Sequence, residues 1–309
     1  MTSYDLSWTR SAAELSGRGF ERFQTELSKY NGRQLHPTVP HAAWREELEI
    51  YAHVLRAEGE YIEAVREEIS PLLGDVPDDN VDEFIDWYED LKETGPGQGD
   101  PLFPWLATAA TRDDMLWFLT QEVAGEAGFD DLLALTQVKV PVTAKLEMAR
   151  NYWDEMGRGR ESAMHGPLLE RLANFLDIDA RPERVIAESL ALGNAMLAMA
   201  RSRRYCFQSI GALGAIEMTA PTRAGFVDAG LKRLRVPAKK RLYFALHAIL
   251  DVKHSACWNR EVLRSLVDEN PQRAVAIGEG ALIRLWHGAR CFDCYRRHLG
   301  FDTPQSRAA

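Results

Sequence analysis

Apolar side chains return at steps of three and four along most of the chain, the period of a helix packed on one side. Trp44, Leu48, Tyr51, Leu55, Ile62, Val65 and Ile69 form one such stripe, and Val81, Phe84, Ile85, Tyr88 and Leu91 form another. Glu58 lies on the first stripe, where a place at the edge of the core is expected. Upstream, residues 5 to 30 have helical character with interruptions at Gly17 and Gly19. TGPGQGDP, residues 94 to 101, is the strongest loop signal, and its glycines neither follow a strand nor open a helix as a phosphate cradle requires. Thr111 with Asp113 and Asp114 then starts a helix whose inner face carries Met115, Phe118, Leu119, Glu122 and Glu126. Pro141 opens a helix through Glu147, Trp153 and Glu155, and another carries His165, Leu168, Leu169, Leu172 and Phe175. Helices are expected over about 183–217 and 221–234, after Pro237, and from Pro271 to near Leu299. No run alternates Val, Ile and Thr between turn signals, so the expected fold class is all-α.

The stretch YFALHAILDVKHSACW, Tyr243 to Trp258, departs from the plain stripe. His247, Asp251 and His254 fall at i, i+4 and i+7 and so share one helical face, while Phe244, Ala248, Ile249 and Val252 cover most of the rest. A helix apolar nearly all round is expected to be buried. A carboxylate between two imidazoles there needs compensation, either from a metal or from a hydrogen-bonded His-Asp-His network. Acids and imidazoles on apolar faces elsewhere are Glu122 or Glu126, Glu155 and His165. Three carboxylates with three histidines suit iron or manganese better than structural zinc, and bridging carboxylates on bundle helices can hold two metals together. Glu155 and His165 are ten residues apart, about 15 Å along an unbroken helix, so the chain must break near Gly157 and Gly159 for both to reach one site.

Composition narrows the classes. The 309 residues carry a formal net charge of -9, which argues against duplex nucleic acid as a partner. Nine carboxylates and one lysine fall between Asp75 and Glu93, the pattern of a solvated helix face. Met1 to Asp5 leads into no basic-then-apolar segment, and the longest apolar stretch, Leu190 to Ala200, is too short for a bilayer. No membrane partner and a cytoplasmic location are expected. Cys206, Cys257, Cys291 and Cys294 make no disulfide framework in a chain this long and are expected to be reduced and structural.

Three segments carry a family resemblance: QEVAGEAGFDDLLALTQ, ARNYWDEMGRGRESAMHGPLLERL and HAILDVKH. They resemble the ligand-bearing segments of haem-oxygenase-like di-iron oxidases and oxygenases, the iron-containing redox enzymes, over about residues 105 to 300. The resemblance implies a haem-oxygenase-like helical bundle at 101–300; outside it, an N-terminal helical extension or cap at 1–100 and a disordered tail at 301–309 are expected from the sequence itself. The resemblance also implies two iron ions on Glu126, Glu155, His165, His247, Asp251 and His254, with O2 as co-substrate and no haem. Glu126 is favoured over Glu122 as a ligand, which leaves Glu122 beside the ligands or in the substrate pocket. Similar proteins N-oxygenate amines, cleave C–C bonds of amino acids or decarboxylate fatty acids. The expectation here is a small amine or amino-acid-derived substrate, with a fatty acid as the alternative, together with an external electron donor and a homodimer. Arg201, Arg203 and Arg204 are candidates to meet a substrate carboxylate or to form a surface cluster. Leu190 to Ala200 is a candidate tunnel wall or helix core. A non-metal helical binding protein, and a thiaminase-like hydrolase using Cys257, are the competing readings.

Overall fold

The computed structural model describes residues 5–74, 76–125 and 128–301, which contain helices and no strand. After a short 3-10 turn at Ser7–Ser11 come α1 (Gly17–Leu35), α2 (Trp44–Leu73), α3 (Val81–Thr94), α4 (Leu102–Thr108) and α5 (Arg112–Gly125). Then follow α6 (Phe129–Thr136), α7 (Val142–Glu155), α8 (His165–Leu176), α9 (Ala187–Arg201) and α10 (Cys206–Arg233). The chain ends with α11 (Leu242–Cys257), α12 (Arg264–Glu269) and α13 (Arg273–His298). No helix is long and apolar enough to cross a membrane among the described residues.

Local chemistry sets several boundaries. Asn80 caps α3 by accepting from the Asp82 and Glu83 amides, and Thr111 caps α5 through its hydroxyl on the Asp114 amide. Asp114 returns the contact by accepting from the Thr111 amide at 2.8 Å, a reciprocal cap. Gly19 sits inside α1, so the expected second interruption is absent and the break falls before Gly17. The expected helix over 183–217 divides at residues 202–205. The expected break at 221 does not occur: α10 runs through Pro221, which has no N–H to give to the Glu217 carbonyl.

The centre of the bundle is the close pairing of α10 with α13. A Cβ on Gly211 would stand 1.9 Å from the Ile277 carbonyl oxygen, and one on Gly280 would stand 1.8 Å from that of Gln208. The two backbones touch because each helix offers a residue without a side chain. The first three helices join this core: α1 packs on α9, α2 packs on α13 and α9, and Phe23, Tyr61, Ile62 and Tyr88 are fully buried in the same apolar cluster as Ile210 and Ile277. A second cluster gathers α4, α5, α8, α11 and the C-terminal halves of α10 and α13.

One helix contradicts the expectation drawn from its apolar pattern. In α11 only Tyr243, Phe244, Asp251 and His254 are buried, whereas Ile249 is 72% exposed and Val252 is 61% exposed. The helix turns its polar face inward, so burial follows the imidazoles and carboxylate rather than the aliphatic side chains.

Candidate metal centre

The break between Glu155 and His165 forms as the spacing requires. Helix α7 ends at Glu155, the chain makes 3-10 turns at Gly157–Gly159 and Glu161–Ala163, and α8 begins at His165. Gly157, Arg158 and Gly159 all take positive φ. A Cβ on Gly157 would come within 2.6 Å of the Met164 nitrogen, so the turn folds tightly back on itself. His165 Nδ1 thereby stands 2.7 Å from Glu155 Oε2 and 3.1 Å from His247 Nε2.

Among the described residues two groups of donor atoms result, each with its atoms within 4.8 Å of one another. One is Glu155, His165 and His247, and the other is Glu155, Glu217 and His254. Glu155 belongs to both. Asp251 lies beside the second group, its Oδ1 3.7 Å from His254 Nδ1. Five of the six residues expected from the resemblance therefore converge. Glu126 lies outside the described residues. Glu122 is in neither group: its carboxylate accepts from the Tyr295 hydroxyl at 3.2 Å.

Glu217 is the residue the sequence reading missed. It is the sole charged side chain between Cys206 and Ala220, in an otherwise small and apolar run, and that isolation was the available signal. It is buried, and Asn151 of α7 donates to its Oε1.

Neighbouring groups fix the imidazole tautomers by geometry. His247 Nδ1 donates to the Tyr243 carbonyl at 2.8 Å, which leaves the Nε2 lone pair facing His165 and Glu155. His254 Nε2 donates to Asp154 at 3.1 Å, which turns Nδ1 toward Glu217 at 3.5 Å. That buried Nδ1 has no hydrogen-bond partner. A nitrogen lone pair aimed at carboxylates is repulsive unless a proton or a cation lies between them.

The electrostatics agree. Burial raises the Glu155 pKa to about 8, with His247 opposing and Glu217 reinforcing the rise. Burial pulls His165 down to about 4, and pulls His247 down as well. Burial also works against a charged His254, yet Glu217 and Asp154 together hold it up at about 9. The cluster keeps protons it would surrender to a bound cation. Three carboxylates and three imidazoles, gathered around protons that a cation would replace, are a donor set that fits divalent first-row metals.

A cavity of about 100 Å³ opens beside the donors, lined in part by Glu155, Glu217, His247 and Asp251. Its apolar wall includes Phe129, Leu169, Ile216 and Phe244, and Glu122 also lines it. Arg201 and Arg204 are elsewhere, paired with Glu58 and Glu63, and Arg203 donates to the Thr136 carbonyl, so none of the three meets a ligand in this cavity. Glu58 is buried rather than at the core edge. The Leu190–Ala200 run is helix core, and neither it nor Cys257 lines the cavity.

Comparison with known families adds one match: a model described as iron-containing redox enzyme, of haem-oxygenase-like fold, covers residues 116–289, more than half of the chain. No curated protein matches the chain.

Proposed function

The chain belongs to the iron-containing redox enzyme family, and from that premise we propose that this iron-dependent oxidoreductase is a non-haem di-iron oxygenase. Its proposed substrate is a small amine or amino-acid-derived metabolite, and the reaction is N-oxygenation or oxidative C–C cleavage with O2 as co-substrate. The observation that carries the reading is the sharing of Glu155 by two donor groups. One iron is assigned to Glu155, His165 and His247, the other to Glu155, Glu217, His254 and Asp251. Glu126 is assigned as a further ligand from the resemblance.

When bound, the iron pair supplies the reduction of O2, with an external electron donor restoring the reduced state. The protein's own part is positional. The Tyr243 carbonyl and Asp154 hold His247 and His254 with their lone pairs inward. The carboxylates offset the cationic charge of the metals, and Phe129, Leu169, Ile216 and Phe244 keep bulk water from the reacting end of the substrate.

The test is Fe(II)-dependent O2 consumption by the reconstituted protein across a panel of small amines and amino acids. Uptake stimulated by at least one of them, and abolished in Glu155→Ala, supports the reading. Uptake that is insensitive to iron, or equal in the variant, refutes it.

A further inference from the structure

Glu122 of α5 lines the cavity, and the Tyr295 hydroxyl that donates to it comes from α13. Ser189 of α9 bonds the same hydroxyl at 2.8 Å; with the phenol proton given to Glu122, the serine is the donor of that pair. Tyr295 is buried, and burial first, then Cys291 and Glu122, hold its hydroxyl well above the ordinary pKa of 10. A phenol so placed stays protonated, and it gives up an electron readily only when its proton leaves with it. Glu122 is the base in contact with that proton. Burial raises the Glu122 pKa as well, with Arg284 and Arg223 opposing.

The Tyr295 ring also meets Trp117 of α5 edge to face, their centroids 5.5 Å apart. Trp117 in turn stacks flat on His298, with 3.8 Å between centroids and 7° between planes, and His298 is exposed at the end of α13. Trp117 itself is half-buried and lines an open surface depression with Leu116, Ile178 and Asp179. Trp117 and Glu122 are five residues apart on α5, about 7.5 Å of helix rise, so one helix carries both the surface end and the cavity end of this row. Tyr295 bridges the two. Tryptophan and tyrosine are the aromatic side chains that lose a single electron most easily, whereas Phe118 and Phe292, which also border Tyr295, do not.

We propose that Trp117 and Tyr295 form an electron path from the surface to the cavity, with Glu122 as the proton partner of Tyr295. Tyr295 gives one electron to the oxidised iron pair, when that is bound, and its hydroxyl proton to Glu122, becoming a neutral phenoxyl radical. An electron from Trp117 and the proton from Glu122 restore the phenol, and a one-electron carrier protein at the surface reduces Trp117. The destination of the electron rests on the proposed di-iron function; the path from Trp117 to Tyr295 does not.

The test is flash-quench photo-oxidation of the metal-free full-length protein with tris(bipyridine)ruthenium(III), read by transient absorbance and electron paramagnetic resonance. The difference between the unaltered protein and Tyr295→Phe is expected to be a neutral tyrosyl radical, formed at least tenfold more slowly in Trp117→Phe and in Glu122→Gln. A difference without a tyrosyl radical, or a radical formed at an unchanged rate in either of those variants, overturns the proposal. If Tyr295→Phe does not fold, a fluorotyrosine at position 295 keeps the hydroxyl and adds fluorine splitting to the radical; a split signal supports the proposal and an unsplit one overturns it. The unaltered protein and Trp117→Phe are then loaded with iron, oxidised, and mixed anaerobically with reduced ferredoxin. Trp117→Phe is expected to keep its iron and to lose the ferric absorption at least tenfold more slowly, and an unchanged rate overturns the proposal. A protein that forms the Tyr295 radical yet takes up no iron keeps the path and refutes the di-iron function instead.

Discussion

Two sets of histidine in this molecule, buried or partly buried, differ in company. His287, on α13, is fully satisfied: its Nε2 meets the Tyr61 hydroxyl at 2.8 Å and its Nδ1 meets the Ile283 carbonyl at 2.7 Å. Burial draws its pKa down to about 3, so it stays a neutral part of the core. The imidazoles of His165, His247 and His254 face Glu155, Glu217 and Asp251 instead, and one of their nitrogens has no hydrogen-bond partner. Burial alone therefore does not mark a site. Carboxylates gathered around inward-facing imidazole nitrogens do.

The largest effect expected from breaking this contrast is at Glu155. Because both donor groups share it, the proposed di-iron function predicts that Glu155→Ala loses both irons and lowers turnover roughly a thousandfold or more, a loss of about 4 kcal/mol of transition-state stabilisation. The melting temperature of the metal-free variant should stay level or rise, since a costly buried carboxyl is gone; metal analysis and calorimetry read the two. Asp154→Asn comes next. Weakening the contact that orients His254 should cost about 10- to 100-fold in iron affinity, measured by competition with a chelator. His287→Leu should do the opposite of both. It strands the buried Tyr61 hydroxyl, lowering stability by about 1–3 kcal/mol in urea unfolding while iron stoichiometry is unchanged.

The pH dependence is the smallest effect and the most selective. Glu155 is raised from 4.5 to about 8, so its protonated form favours the folded state and that contribution is lost as pH rises through this range. His254 is raised from 6.5 to about 9; its contribution is fully present below 6.5 and lost as pH rises through 9. The metal-free protein should thus lose stability between about pH 6.5 and 9, with Glu155→Gln reducing the slope. Iron affinity should rise over the same interval, because binding expels these protons. His287 does not titrate in that window, so His287→Leu should leave the slope unchanged.

Much of this was legible in the sequence because it depends on short spacings. The periodic stripes predict the helices, and the i, i+4, i+7 spacing of His247, Asp251 and His254 predicts their common face. The ten-residue gap from Glu155 to His165, holding two glycines, predicts the broken turn. Glu217 was not legible by the same route, since its partners come from α7 and α11 and no local spacing joins them. Pattern failed for α11 for a related reason: hydrophobicity assigns Ile249 and Val252 to the interior, but the inward face is claimed by residues that burial alone would expel. The break expected before residue 221 does not occur: α10, which packs on α11 and α13, continues through Pro221.

The sharing of Glu155 by two metals is tested most directly by anaerobic Fe(II) titration with Mössbauer detection on the unaltered protein and on Glu155→Ala. The expected result is two equivalents bound per chain, in two distinct sites, with both lost in the variant. One equivalent, or loss of a single site in Glu155→Ala, would contradict it.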